Sequence, residues 1–186
     1  MRAVRHELVG RGHAERLVPM LAELAAEAGH SARPSRILVD VGPGSFTGAR
    51  IGVAAARALG LAWGVSVGGI ESDRLVAAAA LAGRPDWACV LVSLEAGRGR
   101  LLLRRWSRAG PAAKAMALGG PDEALALAQG ADALAGAGLD LVAGWAGPRL
   151  PLDPDARAAA LLPPGWQPLP PSPLYAGGAF GNAPAP

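Results

Sequence analysis

Ile37-Leu38-Val39-Asp40-Val41 runs straight into Gly42-Pro43-Gly44-Ser45-Phe46-Thr47-Gly48, and then into an Ala- and Gly-rich stretch that ends near Leu61. The first five residues read as a buried strand, because aliphatic and β-branched side chains suit a sheet covered on both faces. The small, apolar run behind the glycines predicts a helix. Strand, glycine loop and helix in that order place up to three helix-start N–H groups, beginning near Ser45, where an anion can sit. The same residues also read as an ordinary strand-to-helix turn with Ser45 or Thr47 as the N-cap. A P-loop is excluded, since no Lys follows Gly48, and the glycine spacing fits neither the Walker nor the dinucleotide fingerprint. Gly52 falls inside the helix at a cost of about 1 kcal/mol against alanine, so a close neighbour is expected there.

Upstream of this stretch, Ala3 to Val9 reads as a short strand. Leu17, Met20, Leu21, Leu24 and Ala28 put an apolar stripe on one helix face, with Gly29 as the stop and Pro19 at the start or at a kink. Downstream, Val65 to Val67 reads as a strand, and Ser72 as the cap of a helix that reaches Ala82 before Gly83 and Pro85. Trp87 to Ser93 and Arg100 to Trp106 read as two strands joined by a glycine turn. Pro121, with Asp122 and Glu123 in the first turn, starts a helix to about Ala135, and Leu139 to Ala143 resumes β character. Such alternation predicts an α/β sheet. Residues 148–186 hold 11 of the 17 prolines, which predicts a short helix around Asp155 to Leu162 and then an irregular tail.

The 186 residues suffice for one compact domain or two small lobes. Arg supplies 17 of the 18 basic residues, yet the net charge is only +3, too mild to mark a nucleic-acid binder. A single cysteine, Cys89, excludes an internal disulfide or an all-Cys metal cage, and a reducing compartment, the cytoplasm, is expected. Eight prolines interrupt the longest uncharged stretch, Ala158 to Pro186, so no membrane-spanning helix is expected.

The run from Gly42 to Gly52, preceded by His13-Ala14-Glu15-Arg16-Leu17-Val18-Pro19, resembles the TsaB proteins of bacteria, a component of the machinery that makes threonylcarbamoyladenosine in tRNA. The likeness covers about residues 2–145 and returns at Pro173-Leu174-Tyr175. It implies a two-lobed α/β fold of the actin, sugar-kinase and heat-shock ATPase type, divided here into 1–83 and 84–186, with a Pro-rich tail from about 148. It also implies a non-catalytic accessory subunit that supports a TsaD-like catalytic subunit, alongside a TsaE-like ATPase. Contact with tRNA would run through the complex, and a homodimer is the state expected without the partner. ATP and metal would belong to the partner subunits. The expected interface is made by the first two helices, through His13, Arg16, Leu17, Met20, Leu21 and Leu24 on one, and Phe46, Arg50, Ile51 and Ala54 on the other. The loop Gly42, Pro43, Gly44, Ser45, Phe46, Thr47, Gly48 is the family motif and the candidate anion site.

Two departures from the family pattern bear on this. TsaB proteins begin with about 25 residues carrying two strands and an Ile-Asp-Thr/Ser element, and Met1 falls just before what would be the third strand, so a truncated first lobe or a start codon placed too late is expected. Where the catalytic paralogue carries a His-x-x-x-His metal pair, this chain has Glu71 and Leu75, and leucine cannot ligate. No metal is therefore expected, at His6 and His13 included. The alternative function is a stand-alone phosphotransferase-like or hydrolytic enzyme using Gly42 to Gly48, although Ser45 lacks a Gly-x-Ser-x-Gly elbow. Asp40 reads as a ligand-facing or a turn residue, and Cys89 as a packed hydrophobe. Arg98, Arg100, Arg104, Arg105 and Arg108 read as a solvated hairpin or as phosphate contacts to tRNA.

Overall fold

A computed structural model describes residues 3–7, 12–29, 34–113, 116–164 and 166–175. The first helix, α1 (His13–Ala28), keeps Pro19 inside it and ends at Gly29, whose φ of +90° needs no Cβ. Leu17, Met20, Leu21, Leu24 and Ala28 are its half-buried positions together with Arg16, as the 3.6-residue period requires. The strand expected before it does not form over residues 3–7, and Leu8 and Val9 lie outside the described residues. Charge decides the outcome: Arg5 pairs with Glu23 and Glu27, and Arg16 with Glu7 and Glu23, so this segment lies along α1 instead of in a sheet.

The quoted stretch forms β1 (Arg36–Gly42) and α2 (Phe46–Trp63), followed by β2 (Ser66–Glu71), which pairs with β1 in parallel. α2 packs on β1, and its tightest approach to the sheet is at Gly60, where a Cβ would stand 2.4 Å from Val67 Cγ2. Gly52, the glycine expected to need a close neighbour, has ordinary space: a Cβ there would lie 3.6 Å from Val39 Cγ2.

From β2 the chain turns directly into α3 (Ser72–Ala82). Ser72 is the helix's first residue and Glu71 occupies the cap position, which corrects the expectation for Ser72; its hydroxyl donates to Asp40 instead. β3 (Cys89–Gly97) and β4 (Arg100–Ser107) form the expected antiparallel hairpin, extended by β5 (Gly110–Pro111) and β6 (Ala117–Gly119) on β4. Helix α4 (Pro121–Ala128) is shorter than expected. The chain turns at Gly130, and Ala133–Gly136 becomes β7, parallel to β3 on one side and to β8 (Arg149–Pro151) on the other. Its Ala-Leu-Ala run is buried on both faces, and so small a strand carries no helix-or-strand signature. Leu139–Leu141 and Ala156–Leu161 are 3₁₀ turns, the first where β character was expected.

The second sheet is thus a filled layer. Val90, Val92, Ala133 and Ala135 face α3, while Leu91, Leu101, Leu103 and Leu134 face α4. α3 also touches β1 and β2, so the expected boundary at residue 83 falls at the end of a helix that both sheets share. One interaction ties that helix down. Asp73, with no exposed surface, accepts hydrogen bonds from Arg104 Nε and Nη2 at 2.6 Å each and from Trp106 Nε1 at 2.7 Å. Glu71 lies 3.5 Å from Arg104 Nη2 and accepts from Arg74 Nε at 2.8 Å. Removing one partner of a buried pair strands the other charge at a cost of about 3–5 kcal/mol, whereas an apolar pair of similar volume is often neutral. Asp73→Ala is therefore expected to lower the unfolding midpoint by about 10 °C. Asp73→Leu combined with Arg104→Met should recover at least half of that loss; equal melting of Asp73→Ala and the parent would contradict the pairing.

Candidate functional site

The glycine loop is held from below by a carboxylate. Asp40 Oδ1 accepts from the Gly42 N–H at 2.8 Å and from Ser72 Oγ at 2.7 Å, so one oxygen closes the turn after β1 and anchors the start of α3. Of the two readings of Asp40, the turn residue is the one realised. Burial pushes its carboxyl above the usual carboxylate range, against the opposing pull of those two hydrogen bonds. Gly42 has a φ of +98°, and a Cβ on it would stand 2.8 Å from the Leu174 carbonyl, so both backbone and space demand glycine. The Gly42–Pro43 peptide is cis.

At the far end of the loop Ser45 is the N-cap of α2, its Oγ accepting from the Gly48 N–H at 3.1 Å. One of the three N–H groups considered for an anion is thereby used. Arg50, the basic side chain one turn on, is committed elsewhere: its Nε donates to the Tyr175 hydroxyl at 2.8 Å, and its guanidinium lies 3.7 Å from the centre of the Phe46 ring. Phe46 and Tyr175 are tilted against each other with centroids 5.1 Å apart. Both stay open to solvent, at 42% and 41% exposure, and Leu174 beside them is exposed as well.

Tyr175 and Leu174 reach this place because residues 166–175, irregular as expected apart from one β-bridge at Leu169, are laid down as a strap. Leu169 exchanges two backbone hydrogen bonds with Gly69, at 2.7 and 2.9 Å, and the Leu174 N–H donates to the Val41 carbonyl at 2.7 Å. A Cβ on Gly68 would stand 2.5 Å from Pro168, and one on Gly69 would stand 2.8 Å from the Pro170 carbonyl. The paired glycines in β2 were the available sequence signal for this seat, along with the return of family likeness at Pro173-Leu174-Tyr175.

The expected interface residues fall on two touching helices. Leu17, Met20, Leu21 and Leu24 are half-buried on α1; Ile51 is half-buried, and Phe46, Arg50 and Ala54 are exposed, on α2. His13 is the first residue of α1. Arg16 is spent within the chain: its guanidinium bonds Glu7 and Glu23 and holds both carboxyls below their usual range. Thr47 is exposed, and Gly44 has open space around it.

The arginine cluster of the hairpin loses one member to the core. Arg104 is buried in the Asp73 pair, neither solvated nor free to meet a phosphate, which corrects its place in the cluster. Arg100, Arg105 and Arg108 donate to backbone carbonyls of Leu118, Gln129 and both Leu81 and Arg84 respectively, and Arg98 sits at the turn with a φ of +53°. Leu75 packs with Ile70 and Ala158, and Glu71 is taken up by Arg74. Among the described residues, no group of three or more His, Cys, Asp or Glu side chains is arranged to hold a metal ion, and no helix is long and apolar enough to cross a membrane.

Comparison with known proteins bears on the family and the fold. The family model described as TsaD, tRNA N6-adenosine threonylcarbamoyltransferase, matches residues 4–129. An uncharacterized protein of Mycobacterium tuberculosis is 37% identical over 138 residues, 67% of this chain and 63% of that one. The chain thus spans somewhat less than two thirds of that relative's length. The tRNA threonylcarbamoyladenosine biosynthesis protein TsaB of Escherichia coli is 35% identical over 104 residues, 55% of this chain and 44% of that one. In structure, YeaZ from Pseudomonas aeruginosa superposes with a TM-score of 0.68 at 25% identity, over 85% of this chain and 78% of that one.

The buried carboxylate under the loop makes a pH test possible. With its folded-state value raised above that of the unfolded chain, the charged form of Asp40 works against the fold. The penalty is absent below the ordinary carboxylate value, grows as pH rises toward the raised one, and is complete above it. An Asn at this position keeps an oxygen for Gly42 and Ser72. Asp40→Asn is therefore expected to melt with the parent at low pH and above it at neutral pH; parallel curves across the whole range would contradict the assignment.

Proposed function

Because the chain belongs to the TsaD family, and within it to the TsaB proteins, we propose that it is an accessory subunit of cytoplasmic threonylcarbamoyl transfer to tRNA adenosine. It performs no chemistry of its own and acts by docking a TsaD-like catalytic subunit, with a TsaE-like ATPase and the tRNA joining through that complex. The observation that carries this reading is the contact of α1 with α2: α1 holds its leucines half-buried, and α2 exposes Phe46 and Arg50 with Tyr175 against them. Exposed aromatic side chains around an arginine have the composition of a binding hot spot. The same face would serve a homodimer when the catalytic subunit is absent.

A stand-alone enzyme built on the loop draws no support from the site. The Ser45 hydroxyl is engaged as a helix cap, and Arg50 is held by Tyr175. The isolated chain is accordingly expected to turn over no nucleotide.

Replacing an interface anchor costs at least about 2 kcal/mol, on the order of 30-fold in affinity. Leu21→Asp should abolish co-purification with the TsaD-like subunit while leaving the circular dichroism of the isolated chain unchanged. Retained co-purification with the charge in place would sink the assignment.

A further inference from the structure

Arg74, Ala77, Ala78, Leu81 and Ala82 share one face of α3, and that face is a wall of a cleft of about 590 Å³. The facing wall is the chain from Leu161 to Pro164 with Trp166, and Trp106 and the β4–β5 turn close the end. None of these groups belongs to α1, α2 or the glycine loop, so the cleft is independent of the docking face. Its volume is that of a small-molecule site, and its alanines leave an apolar floor.

Two guanidinium groups stand along that floor. Arg74 lies 4.7 Å from the Trp106 ring centre and 5.5 Å from that of Trp166, held there by Glu71. Arg108 is fixed by donating from Nη2 to the carbonyls of Leu81 and Arg84, at 3.0 and 2.7 Å, which leaves Nε and Nη1 without a hydrogen-bond partner among the described residues. The nearby carboxylates are already matched: Glu71 serves Arg74, and Asp73 serves Arg104. Arg108 has no carboxylate partner among the described residues, so the cleft carries an uncompensated positive charge at this end.

We propose that this cleft binds a small aromatic acid, its anionic group on Arg108 and its rings on the alanine face of α3 beside Trp166. A charged donor fixed at one end of an apolar slot orients such a ligand, and a guanidinium matches planar oxyanions. The probe is 8-anilinonaphthalene-1-sulfonate, with N-phenyl-1-naphthylamine as its uncharged counterpart, read by energy transfer from tryptophan. The sulfonate should bind saturably at one site per chain, and the uncharged compound at least fivefold more weakly. Arg108→Gln should weaken the sulfonate at least fivefold. Ala82→Phe, at an exposed position on the cleft wall, should abolish both, with thermal melts of the two variants matching the parent. Equal affinity of the two probes on the parent chain, undiminished binding by Arg108→Gln or Ala82→Phe, or no saturable binding at all would each overturn the proposal. The comparison of the two probes on the parent chain stands even if a variant fails to fold.

Discussion

Asp73 sits where a charge is costliest, fully buried at the first turn of α3, and it is tolerable only because Arg104 and Trp106 together bring it three N–H groups. The pair joins the helix that follows the small parallel sheet to the central hairpin of the larger one. Fixing that first turn also fixes its neighbour Ser72, whose hydroxyl reaches back to Asp40. Asp40 in turn holds the Gly42 N–H and so sets the course of the glycine loop into α2. A linked set of hydrogen bonds therefore runs from the core of the second sheet to the surface where Phe46 and Arg50 are displayed.

The C-terminal strap completes this surface from the other side. A proline-rich segment is poor material for a sheet interior, because proline has no N–H to donate. Here it needs few donors: Leu169 and Leu174 make the backbone contacts, and the prolines lie over glycines that leave room for them. Chain stiffness becomes useful, since prolines lose little conformational freedom on being laid down. The strap delivers Tyr175 to Arg50, which without it would hold only the Phe46 ring. A basic side chain of the expected interface is thus made part of an aromatic face.

The second sheet follows a different economy. Its central strands are covered on both sides, and alternate residues of β3 serve α3 and α4. Two-sided burial removes the period-two alternation by which a strand is recognised. For that reason β7, made of alanine, leucine and glycine, read as the end of a helix. The turn at Gly130 and pairing with β3 and β8 outweigh the helical preference of alanine.

Periodicity and local chemistry determined most of the elements. The stripe of α1, the strand–loop–helix unit around Gly42, the Ser45 cap, the hairpin and the proline start of α4 all rest on residues within a few positions of one another, and all form as read. The glycine motif likewise carried the family likeness, because close backbone turns restrict residue type on the spot. Only the tertiary structure decided what the charged and terminal residues do. Arg104 is buried by a carboxylate 31 positions away, and Arg50 meets a tyrosine 125 positions away. Arg16 is absorbed in part by Glu7, nine positions off in the segment that precedes α1. Such partners leave no periodic trace, since an ion pair or a hydrogen bond depends on where two distant segments cross, and that crossing is set by the packing of the sheets.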